Sequence, residues 1–86
     1  MNTKPTTIYT KPACVQCIAT KREFDKHGLP YILVDLTQDE RALELVQGLG
    51  YQQVPIVIAA EQHWAGFRPD RIKTLANRPH PTLAAL

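Results

Sequence analysis

The run Tyr31-Ile32-Leu33-Val34-Asp35-Leu36 constrains the fold of this chain more than any other feature. Its apolar residues follow one another without alternation, which predicts a strand covered on both faces, as the strands of parallel sheets are. The residues upstream suit that reading. Thr6-Thr7-Ile8-Tyr9-Thr10 is β-branched and aromatic and stops at Lys11-Pro12, a short first strand followed by a surface turn. From Val15 to His27 there is no proline, Ile18, Ala19 and Phe24 offer a partly apolar face, and Gly28 before Leu29-Pro30 is a stop signal for a helix. Strand, helix and strand in about thirty residues make a βαβ unit.

Beyond it, Thr37-Gln38-Asp39-Glu40 has the capping-box pattern, with Thr37 as the cap and Glu40 reaching back to it. The helix behind it carries Ala42, Leu45, Val46 and Leu49 at i, i+3, i+4 and i+7, a stripe expected to pack on the sheet, and Gly48 or Gly50 ends it. Val54-Pro55-Ile56-Val57-Ile58-Ala59 is strand-like, and the link Ala60-Glu61-Gln62 to His63-Trp64-Ala65 predicts an antiparallel hairpin closing at Gly66. Pro69 fits the first position of a third helix, Asp70 suits its positive end, and Ile72, Leu75 and Ala76 point inward. After Asn77 two prolines predict an irregular tail. The order β-α-β-α-β-β-α, with C-x-x-C opening the first helix, is the thioredoxin-like arrangement, in which helices cover both faces of a mixed four-stranded sheet.

At 86 residues and 44 % apolar content, the chain is expected to form one domain over 1–86 with a core of its own, without a metal or disulfide staple. A net charge of +2 without a polybasic run disfavours nucleic acid and membrane surfaces as partners. The N-terminal Met-Asn-Thr-Lys-Pro-Thr-Thr has no apolar export segment, and no run of 18 apolar residues occurs, so a cytoplasmic location is expected; a monomer is the expected state. Charge is unevenly spread. Residues 1–27 carry five Lys or Arg against two acids, residues 63–86 four against one, and residues 28–62 one against five. A basic end of this kind would favour docking to an acidic partner surface; a merely solvated face is the plainer reading.

Both cysteines, Cys14 and Cys17, fall within four residues. A bond between them closes too small a loop to stabilise much, and cytosolic disulfides are usually transient and catalytic, so the pair points to thiol chemistry. Half of a zinc site is one alternative, but His27, His63 and His80 are the only histidines and none lies two to five residues from another. Inert burial is the other, against which Lys11-Pro12 reads as a surface turn. At a helix start, the sulfur of Cys14 meets free amides and the positive dipole end, which favour thiolate over thiol. Cys14 becomes the nucleophile, and Cys17, one turn on and less exposed, resolves the mixed disulfide that Cys14 forms. Lys11 either adds to the thiolate's stabilisation or is a solvated turn residue.

Cys14-Val15-Gln16-Cys17, Val54-Pro55 and Trp64-Ala65-Gly66-Phe67-Arg68-Pro69 together resemble the NrdH redoxins, a family with glutaredoxin-like sequence and thioredoxin-like activity. The likeness spans residues 6 to about 76. Ala65 stands where the family pattern has serine, so any hydrogen bond from that hydroxyl is lost. The resemblance implies a redox-active Cys14–Cys17 disulfide, a cis peptide at Val54-Pro55 beside the cysteines, electrons arriving from NADPH through thioredoxin reductase, and delivery to class Ib ribonucleotide reductase. No cofactor beyond the two sulfurs is implied. It also implies partner contacts at Lys11, Val15, Gln16, Val54, Pro55, Trp64, Gly66, Phe67 and Arg68. Glutathione, a small anion with two carboxylates, would need cations and free amides, whereas bulky Trp64 and Phe67 and donor-less Pro69 suit a protein surface better. Trp64 and Phe67 have a second reading as core residues, and Arg68 either pairs with Asp35 or Asp39 or stays solvated. A glutathione-dependent glutaredoxin and a metal-holding binding module are the competing functions.

Overall fold

A computed structural model describes residues 6–59 and 62–77 of the chain. Its elements run β1 (Thr7–Thr10), α1 (Val15–Lys26), β2 (Ile32–Asp35), α2 (Glu40–Gly48), β3 (Ile56–Ala59), β4 (Gln62–Ala65) and α3 (Pro69–Asn77). The strands form one sheet in the order β2-β1-β3-β4, with β1 and β2 parallel and the β1–β3 and β3–β4 pairs antiparallel. The expected β-α-β-α-β-β-α order and mixed four-stranded sheet are both present. Ala60 and Glu61 of the hairpin link, and the tail after Asn77, lie outside the described residues.

Alternation along the central strands divides the core in two. Ile8 pairs with Val57, which pairs with Trp64, and these three meet Phe24 of α1 and Ile72 of α3 on one face. Tyr9 pairs with Ile56, and both face Ala42 and Val46 of α2 on the other. Each fully buried aliphatic or aromatic side chain here contributes about 1.5–3 kcal/mol relative to exposure. Leu75 packs on the first cluster beside Ile72, as expected of both residues.

Three local expectations are corrected. β2 is an edge strand, and Ile32 and Leu33 keep 47 % and 46 % of their surface open instead of being covered on both faces. Ala42 and Val46 are buried, but Leu45 and Leu49 are exposed, so α2 seats a narrower stripe than its sequence offers; Ile18 of α1 is likewise exposed. The cap of α2 is Asp39, whose carboxylate accepts the Ala42 N–H at 3.0 Å, rather than Thr37. Thr37 instead donates its N–H (2.8 Å) and hydroxyl (2.6 Å) to Asp35, an Asx turn that uses up both groups one turn too early. Gly50, not Gly48, stops α2: it takes φ +93° and donates to Gln47, while the next N–H, of Tyr51, donates to Val46.

Candidate active site

Strand β1 ends at Thr10, and the exposed turn Lys11-Pro12-Ala13 delivers the chain to α1. Ala13 sits at φ +58°, the left-handed region, which costs a residue with a Cβ about 1–2 kcal/mol. Nothing in the sequence signals this, since alanine is not a residue chosen for that conformation. The strained step turns Cys14 into the N-cap of α1, with φ −111° and ψ 107°, and its Sγ accepts the Cys17 N–H at 3.1 Å. Cys14 and Cys17 are joined as a disulfide with Cα atoms 5.2 Å apart. Cys14 is half-buried, and Cys17 is 2 % exposed. An incoming sulfur therefore meets Cys14 first, and Cys17 is accessible chiefly to Cys14 itself.

Two further segments close on this turn. The Val54–Pro55 bond is cis, and the buried Pro55 offers its carbonyl to the Gly66 N–H at 2.7 Å. Gly66 adopts φ +88°, a conformation open to glycine. The next amide, of Phe67, donates to Gln16 Oε1 at 3.3 Å, so consecutive N–H groups bind the cis-proline segment and the residue between the cysteines. Val15, between the cysteines as well, is 80 % exposed, and with Ile18 and Phe67 it supplies open apolar surface on the α1 and Gly66–Phe67 segments. Lys11 and Val54 line a groove of about 310 Å³ with Leu36, Val46, Tyr51 and Gln53. The Tyr51 hydroxyl meets His63 Nδ1 at 2.6 Å.

Arg68 and Trp64 fall elsewhere than the alternatives for a docking surface placed them. The Arg68 guanidinium grips Asp70 through Nε (3.1 Å) and Nη2 (2.9 Å) rather than Asp35 or Asp39, which accept from Thr37 and from the Ala42 N–H. The hydrogen bond and charge of Asp70 raise Arg68 above its ordinary pKa, and the hydrogen bond from Arg68 holds the Asp70 carboxyl below its usual 3.8. The R-P-D spacing is the sequence signal for this pair. Trp64 is 3 % exposed and belongs to the core, with the Arg71 guanidinium 5.7 Å from its ring centroid, so it offers a partner no surface. Among the described residues no three His, Cys, Asp or Glu side chains converge.

The glutaredoxin family model matches residues 6–64, covering β1, the cysteine turn, the cis-proline and most of the hairpin. NrdH of Escherichia coli, a glutaredoxin-like protein, is 41 % identical over 78 residues, spanning 91 % of this chain and 96 % of its own. This chain belongs to the NrdH redoxins of the glutaredoxin family. NrdH of Salmonella typhimurium is 42 % identical over 76 residues, 88 % of this chain and 89 % of that one. The solved structure of the Escherichia coli NrdH-redoxin, a glutaredoxin-like protein with a thioredoxin-like activity profile, superposes with a TM-score of 0.81 over 88 % of this chain and 97 % of that one. The fold is thioredoxin-like, and as an NrdH redoxin the chain is a thiol-disulfide oxidoreductase with a redox-active disulfide.

Proposed function

We propose that this redoxin takes electrons from NADPH by way of thioredoxin reductase and passes them to class Ib ribonucleotide reductase, as a cytoplasmic monomer acting as one domain. In the reduced protein the Cys14 thiolate attacks a disulfide of the oxidised reductase substrate, forming a mixed disulfide and releasing one substrate thiolate, which takes up a proton. Cys17, losing its proton, then attacks Cys14 Sγ and expels the second substrate thiolate. Two electrons leave the redoxin, and Cys14–Cys17 is again a disulfide. The Cys17 N–H that points at Cys14 Sγ, together with the dipole of α1, favours the attacking anion. Lys11 adds a positive charge three residues upstream.

The observation that carries the choice of reductase is that two groups an anionic tripeptide could use, the Arg68 guanidinium and the Phe67 amide, are engaged by the chain itself. Asp70 occupies the Arg68 fork, Gln16 takes the Phe67 amide, and Pro69 has no amide to offer. Alongside the exposed Lys11, the open side chains on the segments around Cys14 include apolar Val15, Ile18 and Phe67, a surface suited to a protein. Two coupled assays test the reading. NADPH oxidation in the presence of a disulfide substrate is expected with thioredoxin reductase and not with glutathione plus glutathione reductase; turnover with the glutathione couple alone would assign the chain to glutathione-dependent glutaredoxins instead.

A further inference from the structure

We infer that Gln16 is a positioning residue, which holds the Gly66–Phe67 turn against the cysteine turn so that Val15, Ile18 and Phe67 meet a protein partner as one docking face. The inference rests on the protein-docking reading above. Its basis is a pair of consecutive amides. The Gly66 N–H donates to the Pro55 carbonyl, within the sheet end of the fold, and the Phe67 N–H donates to Gln16 Oε1, fifty-one residues away in sequence. Only the second of these ties the turn to α1 through a side chain.

Gln16 is itself fixed at its root. Its backbone carbonyl accepts the hydroxyl of the fully buried Thr20 at 2.8 Å, so the first turn of α1 is anchored and the side chain reaches outward from a rigid base. Phe67 lies between Gly66, which has no side chain, and Arg68, whose carbonyl is already held by the Arg71 and Ile72 amides at the head of α3. Without the Gln16 bond, the Phe67 amide loses the tie that holds its turn to α1. A partner must then order it on binding, and the cost of that ordering falls on affinity rather than on the sulfur chemistry.

The test compares Gln16→Met, of similar size but without the carbonyl, with Gln16→Glu, which keeps an acceptor oxygen. Amide hydrogen exchange at Phe67 is expected to quicken about three- to ten-fold in Gln16→Met and to stay slow in Gln16→Glu. With thioredoxin reductase, KM for the redoxin should rise in Gln16→Met by a similar factor with kcat and the reduction potential unchanged, and Gln16→Glu should keep most of the wild-type KM. Unchanged exchange in Gln16→Met would overturn the link, and quickened exchange with an unchanged KM would overturn its role in docking. If thioredoxin reductase failed to reduce even the wild type, the electron-donor reading would fall. KM for insulin disulfides, with dithiothreitol as reductant, would then decide the part played by Gln16.

Discussion

Thr20 allows the energetics of the cysteine helix to be weighed atom by atom. It is fully buried, one turn beyond Gln16, and its hydroxyl donates to the Gln16 carbonyl at 2.8 Å. Thr20→Val exchanges that hydroxyl for a methyl group of nearly the same volume. The hydrogen bond lost is worth about 0.5–1.5 kcal/mol net, and the added buried methyl returns about 0.8 kcal/mol. No acceptor is orphaned, since the carbonyl keeps its helical i+4 amide, and threonine and valine have nearly equal helix propensities. The two effects leave Thr20→Val within about 0.7 kcal/mol of wild type. Thr20→Ser retains the hydroxyl but removes a methyl from a closed site, losing about 0.8 kcal/mol of transfer energy plus a cavity contribution, for about 1–1.5 kcal/mol in all. Urea unfolding of the oxidised proteins separates them, because a loss of 1 kcal/mol moves the midpoint by about 0.5–1 M in a domain of this size. A Thr20→Val protein destabilised by more than about 1.5 kcal/mol, or a Thr20→Ser protein as stable as wild type, would show that the hydroxyl and not the packing matters, contrary to this reasoning.

The cysteine roles separate by mutation: Cys14→Ser is expected to lose disulfide reduction altogether, while Cys17→Ser accumulates a mixed disulfide through Cys14, visible by mass spectrometry without reductant. Full activity in Cys14→Ser would sink the assignment. Asp39→Ala should lose about 1 kcal/mol by chemical denaturation through the exposed first amides of α2, and Thr37→Ala distinctly less; the reverse order would place the cap at Thr37. Asp70, held below 3.8 by Arg68, binds fewer protons in the folded protein than in the unfolded one as pH falls. The stabilisation its pair contributes is therefore present above the unfolded value and disappears as pH drops through the folded one. An NMR titration of the Asp70 carboxyl should give a midpoint below 3.8 that moves up in Arg68→Ala; a wild-type midpoint at or above 3.8 contradicts the pair.

Local chemistry explains what could be read from the residues alone. Cys14 at the start of α1 and Pro69 opening α3 are each set by neighbours within a few positions and are found where their chemistry places them, whereas Val54-Pro55 reads locally as strand and its cis step ahead of β3 is implied by the family resemblance. Sheet order is not local. The apolar run of β2 reads as a doubly covered strand, yet pairing only with β1 leaves it at the edge, with Ile32 and Leu33 open. Leu45 and Leu49 continue a correct helical period past the width that the sheet covers. The cap of α2 went to Asp39 because Asp35 captured both donors of Thr37 first, a competition between two good local motifs. Gln16 was legible as a neighbour of the cysteines but not as the acceptor for an amide fifty-one residues away, which only the folded chain brings together.

The whole account depends on Cys14 attacking as an anion. Reduced Cys17→Ser protein, in which Cys14 is the one remaining thiol, permits a direct reading by ultraviolet thiolate absorbance against pH. With the Cys17-position amide and the α1 dipole at its sulfur, the midpoint is expected below that of an unassisted thiol, about 8.5; a midpoint at or above that value would leave this redoxin without its nucleophile.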